Sequence, residues 1–148
     1  MKEIPFFRHF TNLAAVVDEG LIFQVCNLWN IFNGSLLSKE EFIGKILNGK
    51  YELILALKDD EVIGFALCEV ILSPLKNSSY LEVWALYVSE SHQTKSLGRM
   101  LLEEIASYAN NIGCFDVHAS ADKKPGVVDF YRACGYNDYA IRMRKEVK

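Results

Sequence analysis

The stretch SESHQTKSLGR, residues 89–99, gathers Gln93, Thr94, Lys95, Ser96, Gly98 and Arg99 between an apolar run, 81–88, and an amphipathic one, 97–109. A strand that passes into a helix leaves unsatisfied backbone N–H groups at the junction. The positive end of the helix dipole points the same way, and together they make a site for phosphate. Gly98 permits close approach of a backbone, the hydroxyls of Thr94 and Ser96 can donate to phosphate oxygens, and Lys95 and Arg99 add positive charge. Neither G-x-x-x-x-G-K-[ST] nor G-x-G-x-x-G occurs, which excludes the two common nucleotide loops on pattern. Taken alone, the run fits a solvated loop before an ordinary helix start at least as well as an anion site.

Other side chains with chemistry to offer are few. Glu82 lies in an apolar run, and on a regular strand it shares a face with Trp84, Leu86 and Val88. Such surroundings raise a carboxylate's pKa, which suits a general base; the alternative is an exposed carboxylate near a sheet edge. Tyr131 sits in VVDFYRACGY, where an amphipathic tyrosine packs readily at a helix end. His92 reads as a solvated loop residue, His118 near a strand end as a hydrogen-bonded structural histidine that could also face a pocket, and Asp122 as a turn residue that could also bind a cation. Cys134 sits near a helix end. No cluster has metal-ligand spacing, so no metal is expected.

The elements that must position these residues follow from periodicity. Residues 4–10 read as a first strand with Thr11 and Asn12 behind it as a helix cap. Residues 13–32 are apolar at helical spacing, broken near Gly20, with Leu21, Val25, Leu28 and Phe32 on one face. Ser38-Lys39-Glu40-Glu41 is a capping-box pattern before a short helix, which Asn48 and Gly49 stop. Residues 51–57 and 62–72 are strands joined by a hairpin at 58–61, and 80–88 is a fourth strand. Leu97, Leu101, Ile105 and Tyr108 mark a helix ended by Gly113. Then come a strand at 114–119, a helix from Pro125 to about Cys134 closed by Gly135, and a last strand over 136–147. The order β-α-α-β-β-β-α-β-α-β predicts one α/β or α+β domain.

A chain of 148 residues, half hydrophobic and a quarter charged, can bury a core of its own. Sixteen basic side chains against nineteen acidic ones give −3, which argues against a nucleic-acid binder and suits a cationic partner slightly. Cys26, Cys68, Cys114 and Cys134 are far apart among apolar neighbours and read as free thiols in a reducing compartment. The N-terminus lacks a long apolar h-region and no run reaches membrane-span length, so a cytoplasmic protein away from membranes is expected.

The loop resembles the acetyl-CoA loop of the GCN5-related N-acetyltransferases, the GNAT family. That pattern is Gln or Arg, two residues, Gly, one residue, Gly or Ala, after the fourth strand and at the start of the third helix. Gln93 takes its first place and Gly98 its last, while Ser96 stands where glycine is usual. A second stretch, VVDFYRACGY, is similar to the family's helix-four signature of Phe-Tyr a few residues before Gly-Phe or Gly-Tyr. Lys124 stands where the family often has asparagine. Both motifs fall on the right elements in the right order, and the resemblance covers about 53–136.

The resemblance implies a GNAT-like single domain over 1–148 with a mixed, mostly antiparallel sheet flanked by helices. It implies acetyl-CoA as co-substrate, with Leu86 and Val88 offering backbone groups to the pantetheine arm. Gln93, Thr94, Lys95, Ser96, Leu97, Gly98 and Arg99 would hold the pyrophosphate. Tyr131 would stand near the thioester sulfur as acid. Glu82, eleven residues before Gln93, falls where the family's histone acetyltransferases carry the base. Trp29, Phe32 and residues 36–42 could form an acceptor wall. The implied activity is acetyl transfer to a primary amine, either a small cationic molecule or a protein amine, with no nucleic acid or membrane involved; a homodimer stays open. The rivals are a non-catalytic acyl-CoA-binding or sensing domain on the same fold, and an unrelated α/β protein.

Overall fold

Strand pairing starts from a two-residue turn. β2 (Glu52–Lys58) and β3 (Glu61–Ser73) are joined through Asp59 and Asp60, whose φ values of 49° and 65° are the left-handed pair of a type I′ turn. Lys58 pairs with Glu61 across it, so the hairpin expected at 58–61 is present. Gln24 clamps it: Nε2 donates to the Asp60 carbonyl at 3.1 Å, and Oε1 accepts from the Val62 N–H at 2.8 Å.

β1 (Phe6–Phe10) pairs antiparallel with β2, β4 (Ser78–Val88) antiparallel with β3, and β5 (Asp116–Ala119) parallel with β4. The sheet order is β1-β2-β3-β4-β5. The helices are α1 (Ile22–Asn33), α2 (Lys39–Lys45), α3 (Lys95–Asn111) and α4 (Pro125–Ala133). This computed structural model describes residues 6–10, 20–46, 50–93, 95–121 and 125–148. The expected cap at Thr11 and Asn12, the helix stretch 13–19 and the stop at Asn48 and Gly49 lie outside the described residues.

Helix α2 starts on the capping box that the sequence announces. The Ser38 hydroxyl accepts from the Glu41 N–H at 3.1 Å, and the Ser38 N–H donates to Glu41 Oε1 at 3.3 Å. These bonds hold the Glu41 carboxyl below its usual range. Gly135 ends α4 with a φ of 91°, the left-handed conformation that favours glycine there.

Both faces of the sheet are covered, which is why β2 and β3 read as nearly unbroken apolar runs. On one face Leu53, Leu55, Phe65, Leu67 and Ala85 pack against Val25, Leu28 and Phe42 of α1 and α2. On the other, Ile54, Ala66, Cys68, Leu81 and Val83 pack against Leu97, Leu101 and Ile105 of α3, with Phe130 and Tyr131 of α4 beside them. All four cysteines are free, two buried and two half-buried. No helix among the described residues is long and apolar enough to cross a membrane.

One expected element is absent: residues 136–148 form no strand. Tyr139, Ile141, Met143 and Val147 alternate as a strand would, yet all four are exposed. Alternation defines a face, but a strand exists only where a neighbour shares its backbone bonds. The segment is held by side chains instead: Arg132 forks onto Asp138, and Tyr139 receives a hydrogen bond from Lys76 and lies against the His118 ring.

Candidate active site

The site is built on the far end of β4. β4 pairs with β5 only from Tyr80 to Val83, whose partners run from Asp116 to Ala119. Beyond Val83, residues 84–88 have no described strand on that side, and the sheet opens. A cleft of about 370 Å3 lies there, lined by Leu86, Val88, Gln93, Gly98, Gly126, Val127, Phe130 and Tyr131. The cleft thus joins the end of β4 to the first turn of α3 and to the inner face of α4.

The loop is tied to the strand it follows. Gln93 Nε2 donates to the Val88 carbonyl at 2.9 Å. The Ser89 and Ser91 hydroxyls lie 2.9 and 3.0 Å from His92 Nδ1, so His92 belongs to loop structure, as its sequence context suggests. α3 starts at Lys95 and carries no acidic residue in its first turn, so its N–H groups face no fixed negative charge of their own helix.

Ser96 lies within α3 and outside the left-handed region, so serine in a glycine position carries no backbone strain. Leu97 is a core residue. The Arg99 guanidinium donates to the Ala133 carbonyl at 2.9 Å and so ties α3 to the end of α4. Thr94, Asp122 and Lys124 lie outside the described residues.

Gly98 has a second reason to be glycine. A Cβ built there would come within 2.9 Å of Phe130 Cζ. The missing side chain lets α4 lie against the first turn of α3, and Tyr131 follows Phe130 directly. Gly98→Val should therefore lower stability by about 1–3 kcal/mol through overpacking, which is roughly 2–4 °C of Tm per kcal/mol at this chain length. Shortening the opposing ring, in Gly98→Val with Phe130→Leu, should recover part of that loss because the two sites share one contact. Thermal melts of Gly98→Val, Phe130→Leu and the double variant check it; additive losses would contradict it.

Tyr131 is mostly buried, its ring edge-on to Phe130 and Tyr136 at 5.5 and 5.3 Å. Burial pushes its hydroxyl up to about 12, with Cys68 and Cys134 adding to the shift. It therefore stays protonated, and a donor, across the neutral range.

Glu82 sits elsewhere than a regular strand would put it. Leu67 pairs with Ala85 and Cys68 with Val83, so Trp84 is an extra residue, a bulge, in β4. The bulge reverses which residues face which helices. Leu81 and Val83 lie on the α3 face before it, and Leu86 and Val88 on that same face after it. Glu82 hence points to the opposite, α1 side. The expectation that it shares a face with Leu86 and Val88 is corrected; of the three neighbours named, only Trp84 lies on its side.

Only 8 % of Glu82 is exposed, and burial raises its carboxyl above the usual range. The charges of His118 and Arg142 oppose that rise and Glu69 adds to it. Glu69 is its direct partner on β3 and His118 its partner on β5. His118 is stacked on Tyr80 at 4.0 Å, with Asp116 3.7 Å from its Nε2. Glu82 and Tyr131 thus flank β4 from opposite faces.

The aromatic residues proposed as an acceptor wall are on the Glu82 side. Trp29 packs on Phe32 and Phe42 at 5.7 and 6.0 Å, and Phe32 on Tyr87 at 5.9 Å. Phe32 is 40 % exposed and can meet a ligand, whereas Phe42 is core and Leu36, 97 % exposed, faces solvent. Sequence reasoning missed Gly126 and Val127 as cleft lining, although both precede the Phe-Tyr pair it quoted. It also missed Glu69, since the sequence does not announce strand register.

A mixed five-stranded sheet thus opens beside its fourth strand, with a helix N-terminus and an aromatic helix around the opening. The sequence model described as Acetyltransferase (GNAT) family matches residues 23–136, and the chain belongs to that family. Among curated proteins no match is found. Solved structures share the fold at low identity. An aminoglycoside acetyltransferase, meta-AAC0020, from an uncultured soil metagenomic sample in complex with sisomicin superposes with a TM-score of 0.77 at 16 % identity, covering 97 % of each chain. A GNAT family acetyltransferase of Staphylococcus aureus gives 0.76 at 20 %, covering 97 % of this chain and 98 % of that one. An integron cassette protein from the mobile metagenome of V. cholerae gives 0.74 at 19 %, covering 96 % and 92 %.

Proposed function

We propose that the protein transfers the acetyl group of acetyl-CoA to a primary amine by direct attack, with both substrates bound together. The observation that carries this reading is the cleft beside the uncovered end of β4, with Tyr131 in its wall and Glu82 across the strand. The lining fits the co-substrate: Leu86, Val88, Val127 and Phe130 match an aliphatic arm, and the open backbone edge at 84–88 matches its amides. The first-turn N–H groups of α3, with Gln93, Ser96 and Gly98 around them, supply convergent donors for a pyrophosphate. Among the described residues no group of His, Cys, Asp and Glu could hold a metal.

When bound, acetyl-CoA supplies an acetyl group already activated as a thioester. Glu82 takes a proton from the incoming ammonium, so that nitrogen presents a lone pair. Tyr131 directs its O–H at the departing sulfur. A free thiol has a pKa of about 8.5, so full transfer from a hydroxyl near 12 is uphill. A strong hydrogen bond to the departing sulfur is the role this balance favours, and as the C–S bond breaks the thiolate takes up the proton that the attacking nitrogen sheds in becoming an amide.

The negative chain and the two carboxylates beside Trp84 favour a cationic small molecule as acceptor. The sisomicin complex of the soil enzyme is consistent with that class. Free thiols in all four cysteines fit a reducing, cytoplasmic setting. The test is a panel of primary amines offered with acetyl-CoA while free coenzyme A thiol is followed. Amine-dependent thiol release supports the reading. Acetyl-CoA binding without release across the panel replaces it with a non-catalytic acyl-CoA-binding domain.

A further inference from the structure

Glu69 and Glu82 face each other directly across β3 and β4. Like charges in that position repel, and Cα atoms of opposed residues are only about 4.5–5.5 Å apart. The two are compensated very differently. Glu69 accepts from Trp84 Nε1 at 3.0 Å through Oε1, and its Oε2 lies 3.3 Å from Lys50 Nζ. Lys50 is 62 % exposed while the Glu69 side chain is 12 % exposed, so the lysine can swing out to water and leave the carboxylate to a competing cation. Glu82, buried to 8 % exposure, receives no hydrogen bond from any described side chain, and His118 and Arg142 act on it only through their charges. Beside the pair, the Trp84 indole is 45 % exposed and offers a face to a cation.

From this juxtaposition we infer that the acceptor is a diamine or longer polyamine: its reacting nitrogen sits at Glu82, and its second ammonium replaces the Lys50 ammonium on Glu69, against Trp84. The inference rests on the reading of Glu82 as the acceptor-side base. Glu69 acts here as a specificity residue and takes no part in proton transfer. Glu69 exchanges an exposed lysine ammonium, which returns to water, for an ammonium tethered to a substrate already held at Glu82, and this exchange favours the dication by roughly ten- to a hundredfold.

The test compares diaminobutane with butylamine, equal in carbon count, in wild type and Glu69→Gln. The wild type should prefer the diamine by about ten- to a hundredfold in kcat/KM, mainly through KM. In Glu69→Gln that ratio should fall to within a few-fold of one. A wild-type ratio near one, or a full ratio kept in the variant, overturns the inference. If acetyl-CoA binds but neither amine is acetylated, the catalytic reading is judged on the full amine panel. Calorimetric titration of both amines into coenzyme A-saturated protein then decides the inference separately: tighter, Glu69-dependent diamine binding supports it, and equal binding of the two amines overturns it.

Discussion

Tyr131→Phe should bind acetyl-CoA with near wild-type affinity and turn over about a hundred- to a thousandfold more slowly, the usual cost of removing one donor aimed at developing charge. The ring stays, so the packing against Phe130 and Tyr136 is kept. What disappears is a hydroxyl whose burial holds it protonated up to about pH 12. Because nothing in that hydroxyl ionises near neutrality, the variant's pH profile should have the wild-type shape at a lower height. Steady-state kinetics with one responsive amine, beside calorimetry with acetyl-CoA, separates the two effects. Equal kcat in the phenylalanine form would remove Tyr131 from the mechanism.

Glu82→Gln should show the opposite pattern: a changed shape as well as a lower rate. An amine with a lysine-like pKa of about 10.4 is almost wholly protonated at pH 7. Without a base the rate at pH 7 should drop by about a hundred- to a thousandfold. It should then climb roughly tenfold per pH unit towards the amine's own pKa, where the wild type has already levelled off. Superimposable profiles would make Glu82 an ordinary strand carboxylate.

Stability should move the other way. The folded-state pKa of Glu82 is raised, because burial disfavours the ionised form. Its contribution is therefore fully present below the unfolded value of about 4.3 and is lost as pH rises through the raised folded value. At pH 7 the buried charge is a cost, and glutamine removes it, so Tm at neutral pH should rise by a few degrees. Thermal melts at pH 7 and pH 4 check the sign: the gain should shrink at the lower pH.

Much of this was readable from residue types, and the places where reading failed share one cause. The turn at Asp59-Asp60, the capping box at Ser38 and Glu41, and the strand-to-helix junction at Gln93 are local chemistry, fixed within a few residues of chain. The orientation of Glu82 is not local. It depends on the pairing of Leu67 with Ala85, which makes Trp84 a bulge, and periodicity in β4 alone gives the wrong face past that point. The expected strand over 136–147 failed similarly, since alternation cannot tell whether a neighbour is there to pair with. Gly98 reads locally as room for a phosphate, but the second constraint on it, the ring of Phe130 thirty-two residues further along, is not in the local sequence. The carboxylate opposite Glu82 was invisible for the same reason: Glu69 becomes its neighbour only through the β3–β4 register.

Where acetyl-CoA sits is most directly measured by amide hydrogen exchange of the wild-type chain with and without it. The edge at 84–88 has no described strand beside it on the cleft side, and the first turn of α3 borders the same cleft. Backbone N–H groups at such an open edge exchange readily until a ligand takes them. Acetyl-CoA should slow exchange in 84–88, 95–99 and 126–131, and leave β1 and the hairpin at 58–61 unchanged. Protection confined to other segments, or none at saturating acetyl-CoA, would contradict the assignment of this cleft.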